Sequence, residues 1–284
     1  MHRPASLTLP QEEFERLRSL LHDYAGLWFG IDARPTIERR LQKRLSATGE
    51  MTFAAYLRRL TDGDATELEE AVEACTVNET YVFRQEYQLK AFRYDILPRL
   101  ARRERVLVWS AGCATGEEAY TIGSIILESG LVPADRVHVF GTDISRRCIA
   151  FARRGVYSAT SFRGVTSPLY SKYFVKQPDG SRVVSADLKA ICKFRHANLL
   201  SETAFPGAVD VIFCRNVLIH MGEQARVRVV AGFFNRLTPG GYLLLGHSES
   251  LLADPSPFEV VQLADDIVYR RPAIDDLTSR RKGR

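Results

Sequence analysis

Two adjacent acids, Glu117 and Glu118, follow an apolar run and a small-residue turn, and that placement limits what the chain can bind. Val106-Leu-Val-Trp109 reads as a buried strand. The turn after it carries Gly112 and Gly116, and an amphipathic helix follows over 117–129. Strand, glycine turn and helix form the opening unit of a nucleotide-binding α/β sheet. Glycines there let the backbone pass close to a ligand where a Cβ would block it. The next apolar run, Val137 to Thr142, ends in Asp143. A carboxylate at that strand end can accept hydrogen bonds from both hydroxyls of a ribose.

The unit is a poor dinucleotide site. That fingerprint is G-x-G-x-x-G with an acid about 20 residues on. Here the glycines are spaced G-x-x-x-G, and Asp143 comes 31 residues after Gly112. Two carboxylates also sit where a pyrophosphate needs the helix N-terminus, and they repel phosphate. They suit a ligand with a cationic end, a ribose and no phosphate, which describes S-adenosylmethionine. The residues alone leave a second reading open, in which both acids merely complement the helix dipole.

These residues need a frame, and the apolar spacing supplies one. Strands are expected at 106–110, 137–142, 209–214 and 241–246, with helices near 117–129, 145–153 and 223–237. Pro239-Gly-Gly241 reads as a turn before the last of these strands. The runs 258–261 and 266–269 can close the sheet as an antiparallel pair. The fold class is therefore α/β, a Rossmann-like doubly wound sheet of the class I methyltransferase type. Between 156 and 197 the rhythm breaks. Runs 173–176 and 182–184 flank Asp179-Gly180 as a hairpin, with 190–194 as a third strand, so a small antiparallel insertion is expected. Upstream, Phe14, Leu17, Leu20 and Leu21 repeat at helical spacing, as do Ile37, Leu41 and Leu45. Thr52 is placed to cap a third helix carrying Phe53, Tyr56, Leu57 and Leu60. The expected domains are thus a helical one over 1–77, a main one over 78–272 with its insertion at 156–197, and a basic tail over 273–284.

Composition narrows the setting. The five cysteines, at 75, 113, 148, 192 and 214, are odd in number and have no C-x-x-C spacing, which points to reduced thiols in the cytoplasm. The six histidines make no H-x-H or H-E-x-x-H pattern, so no metal is expected. No apolar run approaches a membrane span of roughly 18 residues, and the first residues hold no signal-peptide core. The net charge of +5 is uneven: segment 37–59 carries +4, and segment 62–73 holds six acids and no base.

Several separate segments now resemble one family. They are Asn78-Glu-Thr-Tyr-Val-Phe-Arg84, Ser110-Ala-Gly-Cys-Ala-Thr-Gly-Glu-Glu118, Gly141-Thr-Asp143, Asn198-Leu-Leu200, Phe213-Cys-Arg-Asn-Val217 and Gly246-His-Ser-Glu249. In this order and spacing, over nearly the whole chain, they resemble the CheR family, the chemotaxis receptor glutamate O-methyltransferases. The resemblance implies a helical N-terminal domain, a methyltransferase domain and an inserted three-stranded β subdomain. It also implies S-adenosylmethionine as donor and S-adenosylhomocysteine as product. Donor contacts carry over onto Asn78, Thr80, Arg84, Glu118, Asp143, Asn198, Leu199, Arg215 and Asn216. Arg84 is also expected to position the accepting carboxylate. The implied reaction moves a methyl group onto a glutamate side chain of a methyl-accepting chemotaxis receptor. A carboxylate with a reference pKa of about 4.3 is already ionised and needs no general base.

The receptor regions so methylated are acidic helical bundles. Arg39, Arg40, Lys43 and Arg44 on the basic helix are therefore expected to dock on them by charge. Blander roles stand beside these. Asn78 and Thr80 can cap a helix starting near Val82, and Arg84 can pair with Glu86. Cys113 and Cys214 can simply pack, His247 and Glu249 can brace a loop, and the basic residues can form a solvated face. The chain departs from the family at Ala119, where relatives often have proline, and at His220, where some members line the active site with tyrosine. The turn Gln177-Pro-Asp-Gly-Ser181 is short beside members that grip a receptor's C-terminal tether peptide, so no dependence on a tether pentapeptide is expected. Two rivals remain at this level. A pI near 9.0 permits a nucleic-acid methyltransferase, although Cys214-Arg-Asn-Val217 lacks the Asn/Asp-Pro-Pro-Tyr/Phe pattern of base methylation. A non-catalytic donor-binding scaffold is the other. Neither nucleic acid nor membrane insertion is expected.

Overall fold

The computed structural model describes residues 8–163, 165, 169–201, 207–252 and 256–273. Apart from Ala273, the expected basic tail lies outside the described residues. The chain forms two compact units, one running up to Val77 together with His220–Arg228, the other holding Asn78–Ile219 and the chain from Val229 on. The sequence reading did not assign His220–Arg228 to the first unit.

The first unit is helical, with α1 (Gln11–Ala25), α2 (Arg34–Thr48), α3 (Phe53–Thr61) and α4 (Ala65–Cys75). Phe14, Leu17 and Leu21 of α1 are buried, as are Ile37, Leu41 and Leu45 of α2. The Thr52 hydroxyl caps α3 by accepting from Ala55 N at 3.1 Å, and Asp64 Oδ1 caps α4 by accepting from Glu67 N at 3.0 Å.

The second unit opens with α5 (Glu86–Ala91), which runs through π-helical residues Phe92–Ile96 into α6 (Leu97–Leu100). The main sheet follows. Its strands are β1 (Val106–Ala111), β2 (Val137–Asp143), β6 (Cys192–His196), β7 (Val209–Cys214), β8 (Leu237–Leu245), β9 (Glu259–Gln262) and β10 (Ile267–Arg270). The order is β6-β2-β1-β7-β8-β10-β9, parallel from β6 to β8 and antiparallel beyond. The crossover helices include α7 (Glu117–Ser129), α8 (Arg146–Arg154), α10 (Ala186–Ile191) and α11 (Glu223–Arg236). The α7 face buries Tyr120, Ile122 and Ile126 against the sheet. The register pairs Ala111 with Thr142, Asp143 with His196, and Ser110 with Phe213. Four strand ends thus meet at one carboxyl edge, on both sides of β1, where the order of crossovers reverses. Open α/β sheets bind ligands at that point.

A second sheet is small and antiparallel, ordered β3-β5-β4, from β3 (Val156–Tyr157), β4 (Phe174–Lys176) and β5 (Arg182–Val184). Helix α9 (Leu169–Tyr173) precedes β4. One expected strand needs correction here. Residues 190–194 do not complete this insertion: α10 runs to Ile191, and Cys192–His196 join the main sheet beside β2. Cys192 and Phe194 are buried while Lys193 and Arg195 are exposed, the alternation of an edge strand with one covered face. The third strand of the small sheet is Val156–Tyr157 instead. Strand β8 also starts earlier than expected, at Leu237. Its ladder with β7 shifts between Val209 and Val211, and Gly240 on the facing stretch sits at φ 77°. Among the described residues, no helix is long and apolar enough to cross a membrane, and no group of three or more His, Cys, Asp or Glu is arranged to hold a metal. None of the five cysteines forms a disulfide, and all are buried.

Candidate active site

Non-glycine residues forced to positive φ mark the site. They are Phe83 at 60°, Gln85 at 55°, Ala114 at 45° and Asn216 at 60°. Such residues cost about 1–3 kcal/mol each and persist where surrounding contacts hold them. They lie in the segment before α5, the turn after β1 and the turn after β7.

The turn after β1 is bound to the end of β2. Gly112 N and Cys113 N donate to Thr142 O at 2.8 and 2.9 Å. A Cβ on Gly112, at φ +78°, would meet Val217 Cγ2 at 2.4 Å, and one on Gly116, at φ +95°, would meet Ala152 Cβ at 2.7 Å. Both positions therefore require glycine. The buried Asp143 carboxylate accepts from Ala114 N on Oδ2 and from Ser145 N on Oδ1, each at 2.8 Å. Both oxygens are thereby fixed at the carboxyl edge of β2. Ala197 N donates to Asp143 O at 2.9 Å, and Asn198 Oδ1 accepts from Leu200 N at 3.0 Å. The half-buried turn Asn198-Leu199 is thereby held beside Asp143.

Glu117 and Glu118 turn out to do different work. Glu117 is buried and braces local structure, accepting from Thr115 Oγ1 at 2.6 Å and Ser161 Oγ at 3.0 Å. Burial raises its pKa. Glu118 accepts from Ser110 Oγ at 2.6 Å, and its Oε2 lies 3.5 Å from Arg215 Nε. Burial raises the Glu118 pKa, while Arg215 and then Ser110 pull it back. Burial likewise lowers the Arg215 pKa, and Glu118 opposes that. Arg215 Nε and Asn216 Oδ1 are buried with no hydrogen-bond partner among the described residues. A buried cation, an acceptor without a hydrogen bond and the half-buried Glu118 together fit a ligand end carrying both an ammonium and a carboxylate.

The turn after β7 owes its shape to Glu249. Its carboxylate accepts from Asn216 N at 2.7 Å, Val217 N at 2.8 Å, Ile219 N at 3.3 Å and Gly246 N at 2.6 Å. Glu249 therefore braces this loop. Cys113 and Cys214 pack, with thiols pushed well above the ordinary range by burial.

In the segment before α5, Val82 N donates to Ser161 O at 2.9 Å and Phe83 N to Thr121 Oγ1 at 3.2 Å. No helix starts near Val82 for Asn78 or Thr80 to cap, because α5 begins at Glu86. Glu86 meets Lys90 at 3.8 Å, whereas Arg84 Nη1 donates to Glu79 O at 2.7 Å. Arg215 Nη2 donates to Arg84 O. Arg84, Glu118, Arg215 and Asn216 thus come together, with Asp143 and the Asn198 turn on the adjacent strand ends. Sequence reasoning missed Ser110 as a Glu118 partner. It also missed Tyr81, Ser161 and Arg163, which surround the segment without any shared motif.

The basic helix of the other unit departs from expectation. Arg44 holds the buried Glu67 with two bonds, from Nε at 3.0 Å and Nη2 at 2.6 Å, and reaches Glu70 at 3.1 Å. Tyr56 OH also donates to Glu67 at 2.6 Å. Glu67 raises the Arg44 pKa, and burial followed by Glu67 raises that of Tyr56. Arg40 Nη1 donates to Cys75 O at 2.8 Å and Thr76 O at 3.2 Å. Arg40 and Arg44 are therefore half-buried and engaged inside the unit, a role the sequence did not show. Arg39 and Lys43 are exposed one turn apart on α2. Arg44→Glu is expected to destabilise this unit by about 3 kcal/mol, since it leaves the buried Glu67 carboxylate without a cation and adds a like charge. The double change Arg39→Glu and Lys43→Glu is expected to leave thermal stability and donor affinity intact and to weaken binding of an acidic helical substrate. Thermal melts and donor calorimetry on both variants check this.

Comparison with known proteins adds to this geometry. Residues 78–267 match the family profile described as CheR methyltransferase, SAM binding domain, and residues 12–76 match CheR methyltransferase, all-alpha domain. The Chemotaxis protein methyltransferase 2 of Vibrio cholerae serotype O1 is 32% identical over 274 residues, covering 94% of this chain and 95% of that protein. The Chemotaxis protein methyltransferase of Vibrio parahaemolyticus is 33% identical over 273 residues, covering 93% and 98%. The Chemotaxis protein methyltransferase 1 of Pseudomonas aeruginosa is 30% identical over 267 residues, covering 91% and 97%.

Proposed function

The chain belongs to the CheR methyltransferase family, and on that footing we propose that it methylates glutamate side chains on the cytoplasmic helices of chemoreceptors, yielding γ-glutamyl methyl esters and S-adenosylhomocysteine. It is an S-adenosylmethionine-dependent methyltransferase, and bound donor supplies an electrophilic methyl on a sulfonium. In this reading Asp143 holds the ribose, Asn198 and Leu199 receive the adenine, and Glu118 with Arg215 and Asn216 takes the amino-acid end. Asn78 and Thr80 complete the donor contacts from the segment before α5.

The observation that carries the acceptor reading is Arg84. It is fixed next to Arg215, its guanidinium on Glu79 O and its own carbonyl on Arg215. A cation there attracts an acceptor that arrives already ionised, and a carboxylate needs no base. Arg84 guides rather than clamps, because a tight guanidinium–carboxylate bond would quench the nucleophile. Orientation and partial dehydration then supply most of the acceleration, roughly 7–11 kcal/mol for well-aligned partners. The test is formation of S-adenosylhomocysteine with a receptor cytoplasmic fragment and with the same fragment carrying glutamine at every candidate glutamate. Turnover on the first alone supports the reading. Donor binding without turnover on either would favour a donor-binding scaffold.

The reading extends to partners. The turn between β4 and β5 is closed on itself: Gln177 N donates to Ser181 O at 2.8 Å, and Asp179 Oδ1 accepts from Ser181 N at 2.9 Å and its hydroxyl at 2.6 Å. This supports an enzyme that needs no tether pentapeptide. Calorimetry with an isolated pentapeptide is expected to show no binding tighter than about 10 μM; a tighter complex overturns the point. Nucleic acid is not a substrate in this account, and filter binding at moderate salt is expected to retain none.

A further inference from the structure

Next to Arg215, whose Nη2 binds the Arg84 carbonyl, two guanidinium groups share one aromatic ring. The Cζ of Arg163 lies 4.5 Å from the Tyr81 ring centroid, and that of Arg84 lies 5.7 Å from it. Both cations also engage Glu79. Arg84 Nη1 donates to its carbonyl at 2.7 Å, and Arg163 Nη2 pairs with its carboxylate. Arg163 is further steadied by a bond from Nη1 to Thr160 O at 3.1 Å. Its side chain is 45% exposed, and that of Glu79 is 66% exposed. The ion pair is therefore open to solvent and to any acidic surface that reaches the site.

The pair is not what fastens the two segments. Val82 N to Ser161 O at 2.9 Å and Phe83 N to Thr121 Oγ1 at 3.2 Å join them independently. An exposed pair of this kind contributes only about 0–1 kcal/mol, so exchanging its carboxylate for another costs little. After exchange, the Tyr81 ring and Thr160 O still hold the Arg163 guanidinium in place.

We propose that Arg163 is a specificity residue that takes a second carboxylate of the substrate, with Glu79 acting as an internal stand-in until that carboxylate arrives. This rests on the reading of the acceptor as a glutamate on a helix. Residues three or four apart on a helix hold their Cβ atoms about 5–6 Å apart, so an acid one turn from the acceptor can reach Arg163 while the acceptor faces Arg84. Substrates with a lone glutamate are then poorer than those with acids at helical spacing. The Tyr81 ring sets the spacing between the two cations.

The test uses the full chain, saturated with S-adenosylhomocysteine, and a helical Glu/Ala-rich peptide with glutamates four apart. Its glutamine counterpart is the control, and fluorescence anisotropy is the readout. Arg163→Ala is expected to weaken the glutamate peptide about fivefold, and Glu79→Gln to tighten it about threefold. Neither should change binding of the glutamine peptide or donor affinity. A fastener role predicts the opposite sign for Glu79→Gln, and weaker peptide binding by that variant overturns the proposal. So does an Arg163→Ala variant with unchanged peptide affinity, or one that loses donor affinity in parallel. Ester formation by the unaltered chain is read separately. Opposite peptide shifts without ester would remove the acceptor reading and leave this contact standing.

Discussion

Asp143→Asn is expected to weaken S-adenosylmethionine binding about a hundredfold, close to 3 kcal/mol. The buried carboxylate already accepts from Ala114 N and Ser145 N, one on each oxygen. An amide in its place turns one oxygen into a donor. That donor faces a backbone N–H and can no longer take a ribose hydroxyl. The loss should fall on donor affinity, because the proposed role of Asp143 is to hold the ribose, away from the reacting atoms. At saturating donor, kcat should return to within a few fold of the unaltered value. Calorimetry with S-adenosylhomocysteine checks the affinity; an unchanged Kd would remove Asp143 from the site.

Glu118→Gln should cost donor binding about 2 kcal/mol, a factor of about 30 in Kd, and should also flatten its pH dependence. Burial holds the Glu118 pKa above the ordinary carboxylate range, with Arg215 and Ser110 pulling it back. In the proposed role of Glu118, only the ionised acid attracts the ammonium of the donor. Affinity is therefore present above the Glu118 pKa and is lost as pH falls through it. In the unaltered chain that loss should begin above the ordinary carboxylate value of about 4.3. Arg215→Met removes the cation that stabilises the ionised form, so the loss should move to higher pH, toward neutrality. A titration of donor Kd across acidic and neutral pH reads both variants. Identical curves for Arg215→Met and the unaltered chain would uncouple Arg215 from Glu118.

The parallel core of the fold was legible because its strands are short apolar runs bounded by glycines and acids. Val106–Ala111, Val137–Asp143 and Val209–Cys214 all stand out that way, and strand ends such as Asp143 then mark the carboxyl edge. Edge strands were harder. Period-2 alternation shows that Cys192–His196 is extended but not which sheet it joins, and Val156–Tyr157 is too short to register. Charge patterning identified a basic face on α2 but not its partners. Glu67 lies 23 residues beyond Arg44, and only the packing of α2 against α4 reveals that Arg44 is engaged there. Around the site, the motif residues were legible and their supports were not. Glu249 reaches four backbone N–H groups from 30 or more residues away in three cases, and Arg163 meets Glu79 across 84 residues. Positive φ at Phe83 and Asn216 has no local sequence signal, because surrounding contacts impose it.

The central claim is that this chain makes a carboxyl methyl ester, and the chemistry of the product tests it most directly. A chemoreceptor cytoplasmic fragment from the same source would be incubated with the chain and S-adenosylmethionine labelled with tritium in the methyl group, then treated with mild base. The account predicts label on the fragment that leaves as methanol. Label that survives base would mean methylation at nitrogen or carbon and would contradict the account.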